Sequence, residues 1–334
     1  MSGEIGKSGN RTALKDRQLI GWIEAIGFVL ALSMLTVLYA YAIASGAHVI
    51  VFVLYALIGT SAAMLLASGI GRNAWSILKT PQSWIYGSAS VAVEAVFYLL
   101  VGLMSPAEAS LTGRLAVPAS LFIGWSMFGA HITFRQALGG LILVAAVVPI
   151  IVWVDGDKRA AAVLLGLLCA LAVATKSFAS EFHPWNRSAN SIKDKVRVTG
   201  LVVFTTTVLS LIATGLAMFA VNLGVTSLEV VAPPLAAFAH VPTILLALVF
   251  GTAILSAMAF FQFSSVVKIG TSNFLAMTAF APLSAYALQT LAARLGLIVV
   301  PAFDMVMLIP ILVGIAGVLL IVQAGNGRGA SRED

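Results

Sequence analysis

Two charged residues lie in the middle of apolar stretches, where burial of a charge is energetically costly. Glu94 belongs to an apolar run that ends near residue 104, and Arg114 belongs to the run that follows the turn Ser105-Pro106-Ala107-Glu108. If both runs are helical, Glu94 is about 15 Å and Arg114 about 12 Å from that turn. A helical hairpin would therefore bring the two side chains to one depth. There they would either form a structural ion pair or face a polar substrate.

Three further polar residues are expected beside this pair. Tyr98 lies one helical turn after Glu94 on the same face, while Gln262 and Thr278 lie 164 positions after Tyr98 and Arg114. A cavity lined by these five residues would be both polar and aromatic, which suits an amphipathic metabolite better than a bare ion. An unpaired Glu94 could exchange a proton, so the proton is a candidate coupling ion.

Other residue patterns with known chemistry are missing from the sequence. The single cysteine, Cys169, excludes an intrachain disulfide and a cysteine metal cluster. The four histidines show no metal-ligand spacing, and no Gly-Lys-Ser/Thr phosphate loop is present. We therefore predict no catalytic group, no metal and no cofactor. The net charge of +6 indicates basic loops at a membrane surface rather than a nucleic-acid site.

The composition indicates an integral membrane protein, because 60% of the residues are hydrophobic and only 10% are charged. A helix that spans a membrane needs roughly 20 apolar residues. The apolar runs of this sequence are continuous and do not alternate with polar residues, which favours helices over strands. The sequence predicts ten spans, at 19–43, 47–69, 82–104, 107–128, 134–153, 159–179, 198–222, 242–265, 271–293 and 303–323.

The distribution of positive charge predicts the orientation of these spans. Fifteen of the nineteen lysines and arginines fall in one set of loops and tails, with Lys176 and Lys268 expected at helix ends on that side. Three fall on the opposite side, and Arg114 lies inside a span. The positive-inside rule then predicts a multi-pass protein of a bacterial-type inner membrane with both termini in the cytoplasm. Glu24, near the same side, is expected to be solvated.

The two halves of the sequence resemble each other at a shift of 164 residues. The shift aligns Gly87 with Gly251, Phe97 with Phe261 and Pro118 with Pro282. Because five spans per half is an odd number, the halves would be inverted repeats, an architecture common in transporters. Gly87 and Gly251 are expected to allow close helix packing. We predict tails at 1–18 and 324–334 and five-helix repeats at 19–154 and 155–323.

These residues carry a resemblance to the drug/metabolite transporter superfamily, in particular to its EamA-like repeat. The first half supplies Phe97-Tyr98, Leu115-Ala116-Val117-Pro118 and Gly139-Gly140; the second supplies Phe260-Phe261 and Phe280-Ala281-Pro282-Leu283. An acidic residue that follows the fourth helix in that family is absent, since Ala130 follows Gly129. The resemblance implies a ten-helix secondary transporter, not an enzyme, that exports a small metabolite or an amino-acid-like compound.

Several alternatives stay open at this point. The same superfamily includes carriers of lipid-linked and nucleotide-sugar-type substrates, which a wide, laterally open apolar groove would favour. An intramembrane enzyme or an accessory protein is disfavoured, because no His, Asp, Ser or Cys cluster lies at one membrane face. Pro118 and Pro282 remove helical hydrogen bonds, and they would act either as fixed kinks or as gating bends. Membrane lipids and a small-molecule substrate are the expected partners.

Overall fold

A computed structural model describes the backbone of residues 4–189, 191–224, 232–299 and 305–330, and the side chains of 16–189, 191–224, 232–299 and 306–322. Within these ranges the chain is helical, with short turns and no strand. A helix satisfies its own backbone N–H and C=O groups, which an apolar segment requires in lipid. The prediction of an all-helical chain is confirmed for these residues.

The helices follow one another with short connections. The first half contains α1 Glu4–Ala44, α2 Val49–Ser68, α3 Ala74–Leu78, α4 Pro81–Leu103, α5 Pro106–Thr112, a 3-10 turn Gly113–Leu115, α6 Ala116–Phe128 and α7 Phe134–Trp153. The second half contains α8 Arg159–Glu181, α9 Pro184–Arg187, α10 Ile192–Asn222, α11 Leu235–Phe238, α12 Val241–Phe250, a π-helical turn Gly251–Leu255, α13 Ser256–Ile269, α14 Thr271–Met277, a 3-10 turn Thr278–Phe280, α15 Ala281–Arg294 and α16 Met305–Ala330.

Eight continuous helical stretches of the described chain are long and apolar enough to cross a membrane. Each of the ten predicted spans coincides with helical backbone over most of its length. Positions 47, 48, 69 and 104 fall just beyond helix ends, and positions 303 and 304 lie outside the described residues. Two of the ten are not among the eight. The stretch 106–128 contains Glu108, Arg114 and small polar residues, and the apolar part of α16, Val306–Val322, is shorter.

Two helices that begin the halves each pack into the opposite half. Helix α1 runs along α13 and α15, and α8 runs along α4 and α6. Helix α2 packs on α10 and on α12, while α10 also packs on α4. The most extensive helix–helix packing among the described residues is between α7 and α16. Most of the interior is therefore built between the two halves rather than within either one.

Gly87 and Gly251 lie where neighbouring helices pack closely, as the sequence predicts. A Cβ atom on Gly251 would lie 1.9 Å from the carbonyl oxygen of Ala56 in α2, and one on Gly87 would lie 2.3 Å from Cγ2 of Thr206 in α10. The Thr60 hydroxyl uses this closeness to donate to the Gly251 carbonyl at 2.8 Å. Both positions need glycine for packing, because any side chain would push the helices apart.

The loop between α8 and α10 is fixed by buried polar side chains. The Ser83 hydroxyl donates to the Ile77 carbonyl at 2.6 Å, so Nε2–H of His183 donates to Ser83 Oγ at 3.0 Å. The His183 ring also packs edge-on against Phe263. Burial lowers the pKa of His183 to about 4, because the charged imidazolium would lose its hydration. The loop is thus held by a neutral histidine.

Candidate functional site

A closed cavity lies in the interior where α1, α4, α8, α13, α14 and the 3-10 turn 113–115 meet. Its volume of about 30 Å³ leaves room for about two water molecules. Four of the predicted site residues line it together, and these are Glu94, Arg114, Gln262 and Thr278. Lys176 of α8 lines it as well. The cavity thus combines charged groups with apolar surface and has no room for a metabolite in this conformation.

Glu94 is engaged by Lys176 and by Tyr39 of α1. The Tyr39 hydroxyl donates to Glu94 Oε2 at 2.6 Å, and Lys176 Nζ lies 3.9 Å from Oε1. Lys176 Nζ also lies 5.8 Å from the centre of the Tyr86 ring. Of the two alternatives left open by the sequence, the structural ion pair between Glu94 and Arg114 is therefore not formed. Helix α4 packs along α8, and that neighbour supplies the cation instead.

The expectation that Lys176 reaches solvent at a helix end is also wrong. Helix α8 continues to Glu181, and Lys176 is only 4% exposed. The sequence carried a signal for this, because the predicted span 159–179 already encloses Lys176. Tyr39 was missed as well, and nothing in the sequence of α1 distinguishes it from other buried aromatic residues. Both direct partners of Glu94 thus lie on helices that the predicted cavity did not include, α1 and α8.

Arg114 binds backbone carbonyl groups instead of a carboxylate. Its Nε donates to the Ser110 carbonyl at 3.0 Å and its Nη1 to the Thr278 carbonyl at 2.9 Å. No carboxylate of the described chain lies within 4 Å of it, although Arg114 is only 5% exposed. Pro282 has no N–H to donate to the Thr278 carbonyl four residues before it, so this oxygen is available to the guanidinium.

The two predicted bends lie in matching surroundings. Pro118 is the third residue of α6 and follows the 3-10 turn Gly113–Leu115. Pro282 is the second residue of α15 and follows the 3-10 turn Thr278–Phe280. Each proline therefore accompanies a tightened turn beside the cavity, which is where Arg114 and Thr278 meet. Whether these turns open during a functional cycle stays a prediction.

Gln262 and Tyr98 have structural partners. Gln262 lines the cavity, and its Nε2 donates to Ser177 Oγ at 3.1 Å. Tyr98 does not line the cavity; its hydroxyl donates to the Ala47 carbonyl at 3.0 Å, and its ring centre lies 5.0 Å from that of Tyr39. Tyr98 therefore supports the side chain that holds Glu94.

The two ends of the cavity differ. Towards the turn after α4, the Ala107 N–H donates to Gln289 Oε1 at 2.8 Å, and both groups are buried. Towards the opposite end, a wider cleft of about 350 Å³ lies between the end of α6, the end of α8 and the start of α14. Glu181 lines this cleft, and its Oε2 accepts from the Thr271 N–H at 2.9 Å. We call this cleft the vestibule.

A second charged cluster lies near the middle of α1. Lys268 Nζ contacts Glu24 Oε1 at 2.5 Å, and Ser264 Oγ donates to the same oxygen at 3.0 Å. Lys195 Nζ in turn lies 3.2 Å from Ser264 Oγ. Glu24 is only 8% exposed, so the expectation of a solvated Glu24 is wrong, and Lys268 is held by an ion pair. The cluster joins α1, α10 and α13.

Metal-binding residues do not come together in the described ranges, where no group of three His, Cys, Asp or Glu side chains could hold an ion. Cys169 is buried with a free thiol and lines the closed cavity. The residues that line this cavity can bind a ligand by charge, hydrogen bonding and apolar contact.

Comparison with known proteins shows the fold but no family. No family model matches the sequence, and no curated protein matches it. Among solved structures, 24 chains match. One is the crystal structure of a protein described without a function, which superposes with a TM-score of 0.53 at 19% identity. The match covers 92% of this chain and 98% of that chain, so the two chains share a fold over most of their length.

Proposed function

We propose that this protein is a secondary-active transporter of the drug/metabolite transporter superfamily, EamA-like, that exports a small metabolite or amino-acid-like compound. The observation that carries the proposal is the closed cavity lined by Glu94, Arg114, Lys176 and Gln262. Buried ionisable groups in a membrane protein are costly and mark substrate or ion pathways. A cavity of this kind between two helical halves is where carriers bind their substrates.

The helix contacts support ten spans arranged as two inverted repeats. When the spans of the two halves are matched in order, packing of α1 on α13 corresponds to packing of α8 on α4. Packing of α2 on α12 likewise corresponds to packing of α10 on α4. Contacts between α2 and α10, and between α7 and α16, join equivalent helices directly. This reciprocity is what an approximate two-fold axis in the membrane plane would produce. The predicted repeats at 19–154 and 155–323 agree with it.

The unequal ends of the cavity support an alternating-access mechanism. The end at Gln289 and Ala107 is closed by a buried hydrogen bond, whereas the vestibule approaches the other end. With both termini in the cytoplasm of an inner membrane, as the charge bias favours, the vestibule faces the cytoplasm. Substrate would enter there, and opening at Gln289 would release it outside. The turns at Pro118 and Pro282 are the proposed bends of that motion.

Glu94 is the proposed coupling group, with the proton as the candidate ion. Its carboxylate is 2% exposed and depends on Lys176 and Tyr39 for compensation. A substrate group that attracts Lys176 away from Glu94 would leave the carboxylate uncompensated, and uptake of a proton would neutralise it, so that no free carboxylate results. Tyr98, Gln262 and Thr278 are proposed to position these groups and the substrate.

The carrier of lipid-linked or nucleotide-sugar-type substrates stays the alternative. A lateral cleft of about 240 Å³ lies between α5, α7 and α8, but its lining contains no charged residue. A phosphate-bearing headgroup needs cations or other donors, so this cleft gives the alternative little support. The charged cavity favours a small polar metabolite over a lipid.

Comparison of the metabolites released by expressing cells tests the proposal. A bacterial host would carry the wild type, Glu94→Gln, Asp155→Asn or an empty vector, and its growth medium would be analysed by mass spectrometry. We expect the wild type and Asp155→Asn to release the same small molecule, since Asp155 is exposed and pairs with Lys158 at the surface. Glu94→Gln should change that release or its dependence on pH. Identical media in all four cultures, with the protein present in membranes, would refute transport.

A further inference from the structure

The charges that line the closed cavity do not cancel. Two cations, Arg114 and Lys176, face one carboxylate, Glu94. Lys176 lies against that carboxylate at 3.9 Å, which leaves Arg114 without an acidic partner in the described chain. Other buried or half-buried carboxylates are engaged elsewhere, as Glu24 is by Lys268 and Glu181 by the Thr271 N–H. The residues that line the cavity therefore carry an excess of about one positive charge.

We propose that the substrate is an organic anion whose carboxylate binds Arg114. This inference rests on the proposed transport function and names the chemical class that the site accepts. A guanidinium buried to 95% in a membrane is expensive unless an anion compensates it. Since the described part of the chain supplies none within reach, we assign the missing negative charge to the ligand.

Arg114 is oriented for such a ligand. A guanidinium has five N–H donors, and two of its bonds go to the carbonyls of Ser110 and Thr278. These two bonds fix the plane of the group, and Nη2 makes no hydrogen bond to a described residue. The donors that remain can bind both oxygens of one carboxylate, the strongest geometry open to arginine.

The other surfaces of the cavity indicate what the anion carries besides its carboxylate. Phe28, Leu32, Val93, Phe97 and Phe274 line the cavity with apolar groups. An apolar tail would contact them without leaving polar groups unpaired. Because Glu94 is already engaged by Lys176 and Tyr39, the site offers no free carboxylate for a second, positively charged group. The expected order of affinity is anion, then zwitterion, then amine.

Four small probes separate these possibilities. Propanoate and 3-phenylpropanoate are anions, phenylalanine is the zwitterion and phenethylamine the cation of the same phenyl framework. Purified protein in detergent would be titrated with each at millimolar concentration, following its melting temperature and its binding heat. We expect saturable binding of at least one anion, weaker binding of phenylalanine and none of phenethylamine.

Variants at Arg114 connect the binding to that residue. Arg114→Gln should weaken anion binding about ten- to hundredfold, because a charge-assisted, two-point contact is lost. Arg114→Lys keeps the charge but not the planar fork, and we expect an intermediate loss of roughly tenfold. Arg135→Gln, at an exposed arginine, should bind like the wild type. If Arg114→Gln does not fold, the four probes and the Arg114→Lys variant still test whether an anion binds at Arg114.

Three results would overturn the inference. One is binding of phenylalanine or phenethylamine as tight as that of the anions. Another is unchanged anion binding in folded Arg114→Gln, and the third is no binding of either anion. Counterflow in proteoliposomes keeps the two proposals apart. An anion that binds but is not exchanged would refute transport alone, whereas exchange of phenethylamine alone would refute only the anion site.

Discussion

Replacing Lys176 with methionine should cost far more stability than a typical lysine substitution. Methionine nearly fills the space of the lysine but leaves Glu94, 2% exposed, with Tyr39 as its one direct hydrogen-bond donor among the described residues. At 3.9 Å, the lost attraction is about 4 kcal/mol for an effective dielectric constant of 20. Breaking one side of a buried pair typically costs about 3–5 kcal/mol. We expect a loss in that range.

The double variant Glu94→Gln with Lys176→Met should recover much of the loss. Glutamine keeps the shape of glutamate and can still accept from the Tyr39 hydroxyl, and no charge of the pair remains buried. The coupling energy between the two substitutions should reach about 2 kcal/mol. A buried pair replaced on both sides is often close to neutral in its effect on stability.

Equilibrium unfolding by a denaturing detergent in mixed micelles, followed by tryptophan fluorescence, measures these free energies. Lys158→Met is the matched control, because the side chains of Lys158 and Asp155 are 50% and 72% exposed. Its cost should be within about 0.5 kcal/mol of zero. If Lys176→Met were as mild as Lys158→Met, or if the two substitutions of the double variant were simply additive, the buried pair would not exist as described.

Two further predictions concern packing and pH. Gly251→Ala should destabilise the protein by about 1–3 kcal/mol in the same assay, because its Cβ would overlap the Ala56 carbonyl. Gly215→Ala is the control and should leave stability unchanged, because a Cβ at that position meets no atom within 4 Å. Equal losses of stability in the two variants would contradict the packing described for Gly251. The free energy of unfolding should fall as pH drops from about 6.5 to about 4, because the unfolded state binds a proton at His183 more readily than the folded state does. That fall should total roughly 2–3 kcal/mol and shrink in His183→Gln, and an unchanged pH profile in that variant would exclude His183 as its cause.

The helical stretches could be predicted closely from the sequence because their signal is local. A run of apolar residues fixes where a helix lies along the chain, and the predicted span at 134–153 matches α7 at both ends. The positions of Pro118 and Pro282 were equally local, and each indicates a tightened turn next to the cavity. The grouping of Glu94, Arg114, Gln262 and Thr278 followed from the repeat, and the structure brings them to one cavity.

The partners within that group could not be predicted in the same way. Which helices lie side by side is a property of the assembled bundle, and α8 supplies Lys176 to Glu94 from 82 positions away. The hairpin argument favoured Arg114 because it considered only neighbours along the chain. The same limitation explains Glu24, whose partner Lys268 comes from the other half.

The hydrogen bond from Arg114 to the Thr278 carbonyl joins two positions that are exactly one repeat apart. If the halves are equivalent, this contact lies close to the axis that relates them. A dimer of two identical halves would then set two guanidinium groups against each other, and their repulsion would open the centre of the protein. In a single fused chain, one half can keep Arg114 while the equivalent position of the other half is Thr278, whose backbone carbonyl accepts the hydrogen bond. Joining the halves thus permits a binding site with one unopposed charge, which two separate identical subunits could not build.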